Sequence, residues 1–231
     1  MTTPPPAAAP SEDLVILGAG GFSREIAWLV DQINQHGARW NLLGFLDDNP
    51  AKHGMSVDGY PVLGLISSAA DYPAAKFVAG VASYKNRAGR QNVLARLGFE
   101  CGRFATLVSP LACVAPTATL GHGTVVLSAA VIAPGARLGH HVLVSPACVI
   151  GHDAELEDFV TMAAGVTVSG STLVGTGAYL GAHSVLRDGL QVGAGALVGI
   201  GSVVKRNVAA GVTVFGNPAE PVGRLREDRR R

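Results

Sequence analysis

Residues 126–150 read VLSAAVIAPGARLGHHVLVSPACVI, and in them Val126, Ile132, Leu138, Val144 and Ile150 recur at every sixth position. The phase runs back without a slip through Leu120 and Val114 to Val108. It runs forward through Leu156, Met162, Val168, Val174, Leu180, Leu186, Val192 and Val198 to Val204. Two positions before each aliphatic sits a small or β-branched residue, as at Thr106, Ala112, Ala130, Cys148, Ala154 and Ala178, with Leu190 the one large exception. The residue after it is often Gly, Ala or Ser. Neither a helix, at 3.6, nor a simple strand, at 2.0, sustains a period of six. A solenoid does: each hexad is one flat side, three sides make an 18-residue coil, and coils stack about 4.8 Å apart. The aliphatic residue points to the axis, and the small residue is expected where the chain turns a corner.

At 231 residues the chain holds one large or two modest domains, and the repeat claims about half. A net charge of +1 excludes the strong positive field of a nucleic-acid or anionic-membrane binder. Mean hydropathy is +0.32, and Phe104–Ala136 carries no Asp, Glu, Lys or Arg, which invites a membrane reading. Pro110, Pro116 and Pro134 interrupt that stretch and its polar residues fall between the hexad positions, so a soluble β-solenoid fits better than a membrane span. Cys101, Cys113 and Cys148 form no CxxC, and Cys148 falls on the small-residue column, which points to packing. The expected organisation is a leader at 1–12, a nucleotide-binding domain at 13–103, the solenoid at 104–222 and a charged tail at 223–231. With no signal peptide in Met1–Ser11, a cytoplasmic location is expected.

Before the solenoid, Leu14–Leu17 is a β-rich run entering the glycine turn Gly18-Ala-Gly-Gly21, and Glu25–Gln35 has helical spacing. Strand, glycine turn and helix open a βαβ unit in which backbone N–H groups approach a phosphate. Leu42–Leu46 reads as a strand ending in Asp47-Asp48, Val57–Leu63 as a hairpin-like segment, and Phe77–Val81 as a strand through Gly80. Tyr84–Leu97 reads as a helix closed by Gly98. The fold class is therefore an α/β N-terminal domain with a small Rossmann-like parallel sheet, followed by an all-β parallel β-helix. Ser23 stands where a dinucleotide fingerprint has its third glycine, which disfavours an NAD enzyme and favours a nucleotide held by its phosphates.

Histidines carry the remaining chemistry. His122 and His140 differ by 18 and so share an edge, whereas His152 falls on another. Zinc needs three or four converging ligands, and the spacing of His140, His141 and His152 supplies no such set, so no metal is expected. In Gly151-His152-Asp153 an acid follows the histidine directly, and a carboxylate can orient an imidazole as a general base.

Together these features resemble the NeuD/PglD-type sugar acetyltransferases of the left-handed β-helix, hexapeptide-repeat superfamily. The resemblance rests on Gly18–Gly21, Gly44-Phe-Leu-Asp-Asp48, the hexads, Gly151-His-Asp153 and the closing Gly216-Asn-Pro-Ala219, and covers Leu14 to about Val222. It implies a homotrimer that moves an acetyl group from acetyl-CoA to a sugar or nucleotide-linked amino sugar, in the making of cell-surface polysaccharide. It implies His152 as general base, Asp153 as its assistant and the Gly170 N–H as oxyanion donor. Gly18, Gly20, Gly21, Asp47, Asp48 and Gly80 would line the nucleotide-sugar site, and Thr161, Gly165, Gly181, Gly199 and Pro218 the acetyl-CoA site. Thr161 stands where some members carry a second histidine, and Phe22-Ser23 replaces the family's frequent His-Gly, which bears on the acceptor. N-acetylation is expected slightly ahead of O-acetylation, including O-acetylation of a sialic-acid-like sugar. A non-catalytic trimeric nucleotide-binding scaffold or sensor is the alternative class.

Overall fold

The computed structural model describes residues 12–37 and 39–223. The expected leader, 1–12, lies outside them save for Glu12, and the tail, 223–231, save for Gly223. The described residues form two compact units. One holds those up to Ala112 together with Gly121–Ser128; the other holds Cys113–Leu120 and those from Ala129 onward. The division falls later than residue 103, because the paired strands Leu107–Val108 and Val125–Val126 belong with the first unit. There Ser128 Oγ donates to Gln32 Oε1 at 3.0 Å.

The first unit runs β1 (Glu12–Leu17), α1 (Gly21–His36), β2 (Trp40–Leu46), β3 (Ser56–Val57), β4 (Tyr60–Gly64), β5 (Lys76–Ala79) and α2 (Gly89–Leu97), with the sheet ordered β3-β4-β2-β1-β5. Every pairing is parallel except the β3–β4 hairpin. Leu14–Leu17 are fully buried, as a central parallel strand covered on both faces must be, and Ile26, Leu29 and Val30 pack the inner side of α1. α2 starts five residues later than the expected Tyr84. The Ser83 hydroxyl takes the Lys85 N–H, and Asn86 and Gly89 donate back to Ser83 and Asn86 carbonyls, so 84–88 is a chain of turns. Gly98, at φ 61°, ends the helix as expected.

The glycine turn between β1 and α1 is latched from β2. Asp47 Oδ2 accepts the Ala19 N–H at 2.6 Å, Oδ1 accepts the Asn49 N–H at 2.8 Å, and Lys52 Nζ donates both to Oδ2 and to the Ala19 carbonyl at 3.0 Å. Burial alone would raise the Asp47 carboxyl; the Asn49 and Ala19 amides and the Lys52 ammonium outweigh it and hold the group below the usual carboxylate range. Ser23, fully buried, fills the place of the missing third glycine. The space it needs comes from Gly80, where a methyl would sit 2.8 Å from the Ser23 Cα.

The second unit is the solenoid, a parallel β-helix of two-residue strands with three faces. Leu143–Val144, Thr161–Met162, Tyr179–Leu180, Leu197–Val198 and Thr213–Phe215 make the first face. Cys113–Val114, Val131–Ile132, Val149–Ile150, Thr167–Val168, Val185–Leu186 and Val203–Val204 make the second. Thr119–Leu120, Arg137–Leu138, Glu155–Leu156, Leu173–Val174 and Gln191–Val192 make the third. Up to Val204 each strand pairs with the one 18 residues away, as Val131 with Val149 and Leu138 with Leu156, and the last, Thr213–Phe215, pairs with Leu197–Val198 at a separation of 16. The hexad residues from Val126 to Val204 are all within 3 % of full burial.

The corner itself is one residue earlier than the small column. A left-handed φ recurs three positions after each aliphatic, at Ala129, Gly135, His141, Ala147, Asp153, Phe159, Gly165, Ser171, Gly177 and His183. The small residue follows, buried against the axis. Histidine and aspartate tolerate this region better than most side chains, which accounts for His141, stacked on Phe159 at 5.1 Å, and for His183.

Outward-facing residues distinguish the faces. On the first they are buried or half-buried, as at Leu143, Thr161 and Leu197. On the third they include the exposed Arg137–Glu155 pair and Gln191. On the second, Val131, Val149 and Val185 are exposed, with the half-buried Thr167 between the last two.

Two outcomes follow for stability. Leu156→Ala lowers the unfolding free energy by about 2–5 kcal/mol, whereas Glu155→Ala, one residue away and half of an exposed ion pair, costs under about 1 kcal/mol; urea titration separates them. Asp47→Asn destabilises the first unit by about 1–3 kcal/mol at neutral pH. Because the folded-state pKa of Asp47 is depressed, its contribution is fully present above about pH 4, the unfolded value, and lost as pH falls through the folded one. The thermal gap between wild type and Asp47→Asn therefore closes in acid.

Candidate active site

Each edge of the prism is a column of turns, and the turn after a second-face strand carries His152 and Asp153. Their backbone is pinned from both sides: Asp153 N–H donates to the Pro134 carbonyl at 3.1 Å, one coil before, and the His152 carbonyl accepts the Ser171 N–H at 2.9 Å, one coil after. The side chains extend from this anchor, about 70 % exposed, with His152 Nδ1 2.9 Å from Asp153 Oδ2. A carboxylate oxygen can only accept, so the tautomer that fits is Nδ1–H, which leaves the Nε2 lone pair free.

Glycines flank the pair. The imidazole lies over Gly170, where a methyl would come 2.6 Å from Nε2. Below, a methyl on Gly135 would overlap Asp153 Oδ1. A methyl on Gly151 would lie 2.5 Å from the Gly170 nitrogen. Among the described residues no backbone or side-chain acceptor takes the Gly170 N–H. This turn position makes no use of its N–H in the ladder, which is why prolines occupy it at 134 and 146. His152, Asp153 and Gly170 therefore come together as an imidazole, a carboxylate and an unused amide.

The residues expected to hold acetyl-CoA lie elsewhere. Gly165, Gly181 and Gly199 belong to the turns that follow first-face strands, on the opposite edge of the second face from His152. Gly165 and Gly170 are five steps apart along the chain, at most about 17 Å at roughly 3.3 Å each. Gly165 lies under the His183 ring and Gly199 under the Phe215 ring; a methyl on Gly181 would meet the Ile200 nitrogen at 2.6 Å. Thr161 is buried on the outward side of the first face, and Pro218 is exposed after a cis peptide bond. Within one chain the two sets do not converge.

In the first unit, Gly20 and Gly21 open α1 with nothing within 4 Å of a methyl added to either, leaving the helix start approachable. Gly18 is left-handed at φ 96° and packs on Val81. Asp47 is engaged by the turn latch. Asp48 accepts the Ile66 N–H at 3.1 Å and pairs with Arg96 at 2.6 Å, so both carboxylates have intrachain partners. Gly80 serves the packing of Ser23. Lys52 also places an ammonium against the glycine turn, and its one signal in the sequence is a lysine five residues after Asp47. Cys148 is a core residue: burial pushes its thiol up to about 11, and Sγ donates to the Ala163 carbonyl. Among the described residues no three His, Cys, Asp or Glu side chains gather as a metal site, and no helix is long and apolar enough to cross a membrane.

Comparison with known proteins agrees with this architecture. Residues 13–94 match the PglD N-terminal domain family. The acetyltransferase domain of PglB from Neisseria gonorrhoeae is 31 % identical with a TM-score of 0.79, covering 92 % of this chain and 100 % of that one; it has also been solved with acetyl coenzyme A. WeeI from Acinetobacter baumannii is 25 % identical with a TM-score of 0.77, over 92 % and 100 % of the two chains. Perosamine N-acetyltransferase from Caulobacter crescentus, solved with CoA and GDP-perosamine, shares the fold at 22 % identity and a TM-score of 0.79, over 94 % and 100 %. No curated protein matches the sequence. With a small parallel α/β sheet leading into an unbroken left-handed β-helix, and with the PglB domain matched over its whole length, the chain belongs to the PglD-type acetyltransferases of the hexapeptide-repeat superfamily.

Proposed function

We propose that the protein transfers the acetyl group of acetyl-CoA to a sugar or nucleotide-linked amino sugar, with His152 as general base. The observation that carries this reading is the His152–Asp153 contact at 2.9 Å, with Nε2 directed over Gly170. The acceptor's amine or hydroxyl attacks the thioester carbonyl and gives its proton to Nε2; the C–S bond breaks and the thiolate leaves, taking that proton as CoA thiol. Asp153 holds the imidazole in the tautomer that can accept and stabilises the imidazolium. The Gly170 N–H donates to the carbonyl oxygen as charge builds there. General-base help contributes about 10²–10⁴ in rate, and one backbone donor to the oxyanion about 10²–10³.

The acetyl-CoA site, in this reading, is shared between copies. Thr161, Gly165, Gly181, Gly199 and Pro218 would serve the His152 of a neighbour, which a heterologous interface closing into a homotrimer permits, since it joins unlike edges of successive copies. The exposed valines at 131, 149 and 185, interrupted once by Thr167, support this, as a largely apolar strip beside the catalytic edge that a second copy would cover. The nucleotide is assigned to the first unit, with its phosphates at Gly18–Gly21 and the start of α1. The N-acetyltransferase relative solved with GDP-perosamine favours an amine acceptor. Both co-substrates are metabolites of the cytoplasm, which is where this reading puts the enzyme, in the supply of sugars for cell-surface polysaccharide.

Following thiol release from acetyl-CoA with UDP-, GDP- and CMP-linked amino and hydroxy sugars identifies the acceptor. His152→Ala is expected to keep its oligomeric state and lose about 10²-fold or more in kcat; full activity would remove the base assignment. Val149→Asp is expected to shift sedimentation from trimer to monomer and abolish turnover while leaving the helical far-UV signal of the first unit intact.

A further inference from the structure

We infer that Gly135 is a positioning residue for the catalytic pair, kept as glycine to leave room for the Asp153 carboxylate. The inference rests on the general-base reading above and deepens it. Gly135 occupies the left-handed corner one coil below Asp153, in a column that continues through Ser171 and Gly189, with φ values of 74°, 57°, 54° and 66°. That backbone does not itself demand glycine. Ala129 and Ala147 hold the same conformation, at φ 59° and 58°, in the turns that follow first-face strands, and His141, Phe159 and His183 hold it too. What distinguishes Gly135 is the atom above it. A methyl there would overlap Asp153 Oδ1, while Asp153 Cγ would be 3.4 Å away and its backbone nitrogen 3.6 Å, an ordinary contact.

Only the end of an exposed side chain has to give. The Asp153 backbone remains held by the Pro134 carbonyl, and the carboxylate swings toward solvent, away from His152 Nδ1. Released, the imidazole loses the partner that fixes its ring and keeps the proton on Nδ1, and less of it presents a lone pair at Nε2. Every neighbour that a methyl on Gly135 would meet within 4 Å belongs to Asp153, so its influence passes through that residue. Gly189 provides the matched comparison: the same edge, nearly the same φ, and nothing within 4 Å of an added methyl.

The test compares Gly135→Ala with Gly189→Ala, which share the strain of a left-handed alanine. Gly135→Ala is expected to lower kcat about tenfold with KM for acetyl-CoA unchanged, using the nucleotide sugar that turns over, and Gly189→Ala to retain the wild-type rate. In an Asp153→Ala background, Gly135→Ala is expected to cost nothing further. Imidazole ¹⁵N spectra, with His152 assigned by His152→Gln, are expected to show the Nδ1 resonance losing its hydrogen-bonded shift in Gly135→Ala only. Should Gly135→Ala fail to fold, Gly135→Asn, which tolerates the left-handed region, repeats the comparison. Unchanged His152 resonances, an equal loss in Gly189→Ala, or a full further loss in the Asp153→Ala background would overturn the inference. The spectra separate the two readings: if His152→Ala stays active the base assignment fails, yet the resonances still report whether Gly135 sets the pair.

Discussion

Everything in the solenoid depends on one constraint, the parallel register of 18 between successive coils. Each two-residue strand bonds to the strand one coil away, and the inward aliphatic of each hexad stacks on its counterpart. The coils stand about 4.8 Å apart. A sequence separation of 18 therefore becomes contact, and one of 6 or 12 becomes a different edge. Slipping the register by a single residue would turn every buried Val, Leu and Ile outward, so the core holds the ladder and the ladder holds the core. The outer surface is left free to vary, and there the three faces diverge into a covered one, a polar one and an apolar exposed one.

The first unit works by a different economy. Its sheet is short, and its turn chemistry is crowded into the ends of β1, β2 and β5. Asp47, Lys52 and the Ala19 amide and carbonyl interlock there, and Ser23 presses onto Gly80. A carboxylate at the end of a second strand usually suggests a ribose contact. Here it closes the glycine turn on itself, leaving Gly20 and Gly21 as the approachable part of that turn.

Much of the solenoid was legible in the sequence because its signal is periodic and redundant: one altered hexad residue would not hide the rest. The placement of His152 on a different edge from His140 followed from counting alone. The true corner was not legible, since the left-handed column reads Ala, Gly, His, Ala, Asp, Phe, Gly, Ser and shares no chemistry beyond its backbone. Tyr84–Ala88 carries no strong breaker before Gly89, so its pattern reads as helix; hydrogen bonds accepted by Ser83 and by the Asn86 carbonyl make it turns instead. The engagement of Asp47 and Asp48 depends on Ala19, Ile66 and Arg96, partners that only the tertiary fold brings near.

The tripeptide Gly151-His152-Asp153 can now be understood as a transcript of the turn. At its first position a methyl would crowd the Gly170 nitrogen in the coil above, and glycine leaves that amide clear. The second contributes no ladder N–H and projects outward, so any side chain, including a reactive one, can stand there. The third is left-handed, a conformation in which aspartate is among the few comfortable charged residues. A histidine followed at once by an aspartate is thus what the corner of this helix accommodates anyway. Glutamate at 153 would preserve the charge and lose the backbone fit, so the reach of the carboxylate is dictated by the turn as much as by the imidazole it serves.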